Sequence, residues 1–243
     1  MRKSGLPQQP GTTKPTTPST SGAGAVAAFL NKANQFKPGE GKGRLIFALD
    51  ATMSRQPTWD AACSMQAEMF KAVGQAANLA VQLVYFRGFG ECRSSKWVMD
   101  TKALARLMSG IDCRGGQTQI GKVLLHAQKE ARAATAGNKV SALVFVGDAM
   151  EEDVDMLCHR AGELGLLGVP AFMFQEGHDG LTEKTFRELA RLSKGAYVRF
   201  DQGAAAQLAE LLKAVARFAS GGRAALESNR SRGDRLLLEQ LKK

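Results

Sequence analysis

The stretch Asp50-Ala51-Thr52-Met53-Ser54 sets a carboxylate and two hydroxyls at alternate positions. In extended backbone, alternate side chains point the same way, so the three oxygens can converge on one point. Two later segments carry matching groups. Gly115-Gly116-Gln117-Thr118 presents a hydroxyl after a glycine pair, and Val146-Gly147-Asp148 ends in a second carboxylate. Oxygen donors of this kind are what hard divalent cations select, which points to Mg2+, with Mn2+ or Ca2+ as alternatives. Asp50, Thr52, Ser54, Thr118 and Asp148 are therefore the candidate metal ligands. Each also has a simpler structural role. Asp50 and Thr52 can cap a turn or helix, Ser54 the helix that follows, Thr118 the helix from Ile120, and Asp148 can close an Asx-turn. Taken singly, capping is the plainer reading for Asp50 and Thr52; three converging segments favour metal.

Other chemistries find little support. The four cysteines, Cys63, Cys92, Cys113 and Cys158, form no C-x-x-C pair and read as scattered reduced thiols. His126, His159 and His178 make no H-x-x-x-H pattern, which argues against zinc hydrolysis. RGFGE (87–91) lacks the Lys-[ST] ending of a phosphate cradle and reads as a turn. Arg55 is expected to be a solvated loop charge. Glu151, Glu152, Asp153 and Asp155 are expected to be a solvated helix N-terminus that complements the helix dipole.

The elements that must position these groups alternate along the chain. RLIFALD (44–50) is a short apolar run ending in Asp, as in a buried parallel strand. VQLVYFR (81–87), SALVFVGD (141–148), VPAFMFQ (169–175) and AYVRF (196–200) read as further strands, and ECRSSKWVM (91–99) as a short edge strand. Helices are expected over 59–79, 102–108, 120–134, 151–166, 182–192 and 204–218. This alternation predicts a Rossmann-like, doubly wound α/β fold: a mainly parallel sheet with one short antiparallel edge strand and helices on both faces. Ligands of such sheets bind outside the carboxyl ends of the strands, where Asp50 and Asp148 fall.

LIFALDATMS, RGGQTQIGKVL and ALVFVGDAMEE, in that order, resemble the three segments of a von Willebrand factor type A (VWA) domain, of the stand-alone bacterial intracellular kind. The resemblance covers roughly residues 43–220. That family's metal-ion-dependent adhesion site (MIDAS) reads D-x-S-x-S, then a Thr in a Gly-rich loop, then an Asp after a later strand. The resemblance implies that Asp50 and Asp148 supply the acids and Thr52, Ser54 and Thr118 the hydroxyls, with one position left for water or a partner's carboxylate. It implies a cytoplasmic, metal-dependent protein-interaction module whose partner presents Asp or Glu. The chain departs from the pattern at Thr52, which replaces a Ser, and at Gly147, which replaces the Thr of the common T-D-G form.

Charge and composition bound the alternatives. The chain has 243 residues and a formal charge of +10. Residues 1–42 carry six Lys/Arg and one acid (+5), and residues 221–243 six Lys/Arg and three acids (+3). The segment 43–220, with 21 basic and 19 acidic residues, holds only +2. Nucleic-acid binding is thus a weak expectation confined to the ends. Residues 1–42 read as a disordered arm and linker, 43–220 as the α/β domain, and 221–243 as a basic tail or short helix. No apolar run suits a membrane span or a secretory signal. An aspartate-based, Mg2+-dependent phosphatase is the enzymatic alternative. It needs a second acid two residues after Asp50, where Thr52 stands, and a non-enzymatic chain is the expectation.

Overall fold

The computed structural model describes residues 43–55, 79–135, 138–200 and 205–241. Six strands form one sheet in the order β3-β2-β1-β4-β5-β6. They are β1 (Gly43–Asp50), β2 (Leu79–Arg87), β3 (Glu91–Ser94), β4 (Val140–Gly147), β5 (Ala171–Glu176) and β6 (Ala196–Phe200). Only the β2–β3 pair is antiparallel, with Phe86 opposite Cys92; the other pairs are parallel. The α/β class, the parallel sheet and its antiparallel edge strand are as the sequence predicts.

The central strand is apolar on both faces. Leu45, Phe47 and Leu49 enter one core cluster, Ile46 and Ala48 the other. Such two-sided burial requires a layer of helix on each side. The first layer comprises α1 (Thr101–Met108), α5 (Ala205–Asn229) and α6 (Arg232–Gln240), which contribute Leu104, Leu211, Val215 and Leu237. The second comprises α2 (Ile120–Arg132), α3 (Val154–Leu166) and α4 (Gly180–Leu192), through Val123, Leu157 and Phe186. Phe145 on β4 meets Phe186 edge-on at 5.5 Å, and Phe172 on β5 meets Phe218 at 5.4 Å. Phe145, Phe172 and Phe186 are fully buried, and each such ring contributes about 1.5–3 kcal/mol.

Several boundaries differ from the sequence reading. Leu79, expected to end a helix, opens β2, and the rest of that helix (59–78) lies outside the described residues, as do the N-terminal arm and Cys63. Helix α3 starts at Val154 with Asp153 as its N-cap, so Glu151 and Glu152 stand before it. Helix α5 runs past residue 220 to Asn229, with one non-helical residue at Gly222. Its end is tied to α6 through Asp234, a fully buried carboxylate. Asp234 accepts bonds from Arg217 Nε (2.9 Å), Asn229 Nδ2 (2.6 Å) and the Ser231 amide (2.8 Å). Burial would raise its pKa, but these donors outweigh burial and hold the carboxyl below its ordinary value. The basic C-terminal segment is thereby packed on the body as far as Leu241. Among the described residues no helix is long and apolar enough to cross a membrane.

The sheet order reverses direction between β1 and β4. That is the switch point at which doubly wound sheets open a crevice above their strand ends.

Candidate metal centre

Asp50 closes β1 at that crevice. Leu49 pairs with Val146, so Asp50 stands beside Gly147 and Asp148 at the end of β4. The backbone approach is close: a Cβ on Gly147 would lie 3.4 Å from the Asp50 Cβ and 2.8 Å from the Phe145 ring. A threonine has no room there, which accounts for the glycine in place of the T-D-G threonine.

The Asp50 carboxylate is fully buried. Its Oδ1 accepts the Thr52 amide at 2.7 Å, while Oδ2 has no hydrogen-bond partner among the described residues. Burial pushes the carboxyl up to about 6, and the Asp148 charge adds to the rise; the Thr52 bonds and the Arg55 charge pull the other way. Asp148, half-buried, likewise has one oxygen, Oδ1, without a partner. Two neighbouring carboxylates, each with a buried oxygen lacking a partner among the described residues, form a costly arrangement that a cation between them would relieve.

The hydroxyls singled out by the sequence fall into two groups. Thr52 Oγ1 and Ser54 Oγ are 3.1 Å apart, with Ser54 on the short 3-10 turn Met53–Arg55. The loop bearing them is pinned on both sides. The Ala51 amide donates to the Phe86 carbonyl at 3.0 Å, and the Arg114 amide to the Ala51 carbonyl at 3.0 Å. Thr118 approaches from the Gly-rich loop. Its Oγ1 accepts the Glu151 amide at 3.1 Å, and its own amide donates to Glu151 Oε2 at 3.1 Å. Thr118 is thus held to the loop that carries Asp148. Gln119 fills the N-cap position of α2 and makes no side-chain cap bond.

The cap comes from elsewhere. Glu152 accepts the Ile120 and Gly121 amides, the latter at 2.9 Å. Glu151 is exposed as expected and Glu152 is half-buried, yet together they tie the Gly-rich loop and the start of α2 to the Asp148 loop. Asp153 and Asp155 keep the expected place at the start of α3. Glu152→Ala is expected to lower stability by about 1–2 kcal/mol in urea denaturation, with Glu152→Gln losing less because it keeps an acceptor. Equal losses in both variants would show that the cap is not the cause.

Arg55 corrects a second expectation. It is buried, 1% exposed, and its Nε lies 3.2 Å from Glu176 Oε2. Glu176 ends β5, so three adjacent strands, β1, β4 and β5, end in or just before an acid. The rule that places ligands at strand ends could have singled out Glu176, had the strand expected over 169–175 been extended by one residue.

Among the described residues no group of three or more His, Cys, Asp or Glu side chains is placed to hold a metal ion. The set expected from the sequence consists instead of two carboxylates and three hydroxyls. Cys92 and Cys113 are buried and in no disulfide, and burial raises the Cys92 thiol to about 12. His126 is buried against Gln82 at 2.8 Å. A cavity of about 500 Å3 lined by Arg187, Arg191, Lys194, Tyr197 and Gln240 opens at the start of β6, the opposite end of the sheet from Asp50.

No family model matches the sequence, and no curated protein matches it. Solved structures do match in fold. The SpRpn10 VWA domain superimposes with a TM-score of 0.57 at 11% identity, over 68% of this chain and 94% of that one. The conserved hypothetical protein BatB from Bacteroides thetaiotaomicron gives 0.55 at 19%, over 72% and 96%. A von Willebrand factor type A protein from Catenulispora acidiphila gives 0.59 at 16%, over 74% of this chain and 43% of that longer one. With strand order, edge strand and helix layers in agreement, the chain has the fold of a von Willebrand factor type A domain.

Proposed function

We propose that this chain is a metal-dependent protein-interaction module, in which a divalent cation held above β1 and β4 receives an acidic side chain of a partner. The observation that carries the reading is the pair of orphaned oxygens, Asp50 Oδ2 and Asp148 Oδ1, at adjacent strand ends. Asp50 and Asp148 supply the charge, and Thr52, Ser54 and Thr118 supply neutral donors. Mg2+ suits that set, with Mn2+ or Ca2+ as substitutes. The bound cation contributes Lewis acidity and an open position for a carboxylate. The protein's own residues fix where that position is. Asp50 is locked by the Thr52 amide, Thr118 is locked by Glu151, and the 51–55 loop is pinned between β2 and Arg114. Such a site gives geometry-dependent affinity without chemistry, so binding rather than catalysis is its task.

The test is an affinity pull-down with Mg2+ and with chelator, comparing wild type with Asp148→Ala. Partners retained by wild type in Mg2+ and lost both in chelator and in Asp148→Ala support the reading. Partners indifferent to both changes overturn it.

A further inference from the structure

Arg55 and Glu176 lie at the candidate centre but are not among its donors. The Arg55 side chain is wholly buried, and that of Glu176 is 8% exposed. The two come from different elements: Arg55 ends the turn that carries Ser54, and Glu176 ends the strand beside β4. Their 3.2 Å approach therefore ties the hydroxyl-bearing loop to the far side of the Asp148 loop. It also fixes the charge around the centre. A buried guanidinium one residue from Ser54 opposes cation binding, and a buried carboxylate 3.2 Å from it cancels that opposition.

We propose that the Arg55–Glu176 pair sets the divalent-cation affinity of the centre. Glu176 offsets the Arg55 charge, so the cation meets the net charge of Asp50 and Asp148. Arg55 in turn braces the turn bearing Ser54 against β5. Both are positioning residues, and the inference rests on the metal reading above. Retaining an ion pair here, where an apolar pair would bury at no electrostatic cost, follows from this role: without Glu176 the arginine charge acts more strongly against the cation, and without Arg55 the glutamate charge acts more strongly for it.

The experiment is calorimetric titration of Mn2+ into the full chain for wild type, Glu176→Gln, Arg55→Met and the double variant, with melting temperatures recorded for each. Glu176→Gln is expected to weaken Mn2+ binding about tenfold or more, because the Arg55 charge then acts with one counter-charge fewer inside a low-dielectric crevice. Arg55→Met is expected to tighten binding by a similar factor, and the double variant to return within about threefold of wild type. A purely structural pair does not produce that sign reversal and rescue. Equal affinity in all four proteins overturns the proposal, as does a double variant as weak as Glu176→Gln. Should Glu176→Gln yield too little folded protein to titrate, Arg55→Met and the double variant decide: no tightening in the first overturns the proposal. Absence of Mn2+ binding in wild type itself overturns the metal reading and this proposal together, a result seen before any variant is made.

Discussion

Replacing Asp50 with asparagine is expected to weaken Mg2+ binding at least a hundredfold and, at the same time, to stabilise the metal-free protein at pH 7. The two effects share one cause. Asp50 is fully buried, only one of its oxygens is paired among the described residues, and its carboxyl is raised to about 6 from 3.8. A raised carboxyl binds its proton more tightly in the folded state than in the unfolded chain. Metal-free stability therefore falls as pH climbs from about 4 to about 6 and is level above that. A shift of this size corresponds to about 3 kcal/mol as an upper bound, and about 1–3 kcal/mol is expected once asparagine's weaker acceptance of the Thr52 amide is counted. Asparagine does not titrate, so the variant's advantage should shrink toward zero at pH 4. With Mg2+ present the order reverses, because only wild type gains the binding free energy. Urea denaturation of both proteins in chelator and in Mg2+, at pH 4 and pH 7, measures all of this. A variant less stable than wild type in chelator at pH 7 would show that the Asp50 charge is compensated within the protein, leaving no cation to be required. In wild type, Mg2+ affinity should also fall about tenfold for each pH unit below 6, as the proton competes for the same oxygen.

The sheet was legible because its strands are short, apolar and separated by periodic helices. RLIFALD announces burial on both faces, and the structure divides its residues between two cores accordingly. Placing Asp50 and Asp148 at strand ends needed only this pattern, since a carboxylate interrupts an apolar run of this kind. The supporting contacts were less legible, because they join residues far apart in sequence. Glu152 reads locally as part of an acidic helix start, yet its carboxylate finds the amides of Ile120 and Gly121, which Gln119 leaves uncapped. Arg55 reads locally as a loop charge. Its burial depends on a partner 121 positions later, at the end of a strand whose last residue sequence patterns do not fix. The C-terminal segment shows the same limit. Its basic composition suggests a tail, while three donors converging on Asp234 make it part of the packed body.

Gly116→Ala is expected to have the second-largest effect, through the loop that carries Thr118. The glycine packs directly on the β2–β3 turn: a Cβ at position 116 would lie 2.1 Å from the Gly88 carbonyl oxygen and 2.4 Å from its Cα. Both are backbone atoms, so no rotamer change relieves the clash, and one of the two segments must move by an ångström or more. Neither is free to do so cheaply. Gln119 donates to the Gly88 carbonyl at 3.2 Å, Lys122 to the Gly90 carbonyl at 3.1 Å, and Arg87 is tied to Asp112 and, at 3.2 Å, to Glu91. On the other side Thr118 is held by Glu151. The strain therefore passes either into the hairpin, breaking the Gln119 bond, or into Thr118, pulling its hydroxyl from the crevice. A loss of about 2–3 kcal/mol in urea denaturation is expected, together with Mg2+ binding weakened about tenfold or more. Thr118→Val separates the two consequences, since it removes the hydroxyl without touching the hairpin. It should weaken Mg2+ binding comparably at a smaller cost in stability, limited to the bond from the Glu151 amide. If Gly116→Ala loses stability but binds Mg2+ as wild type does, the strain has been absorbed by the hairpin, and Thr118 keeps its place independently of it.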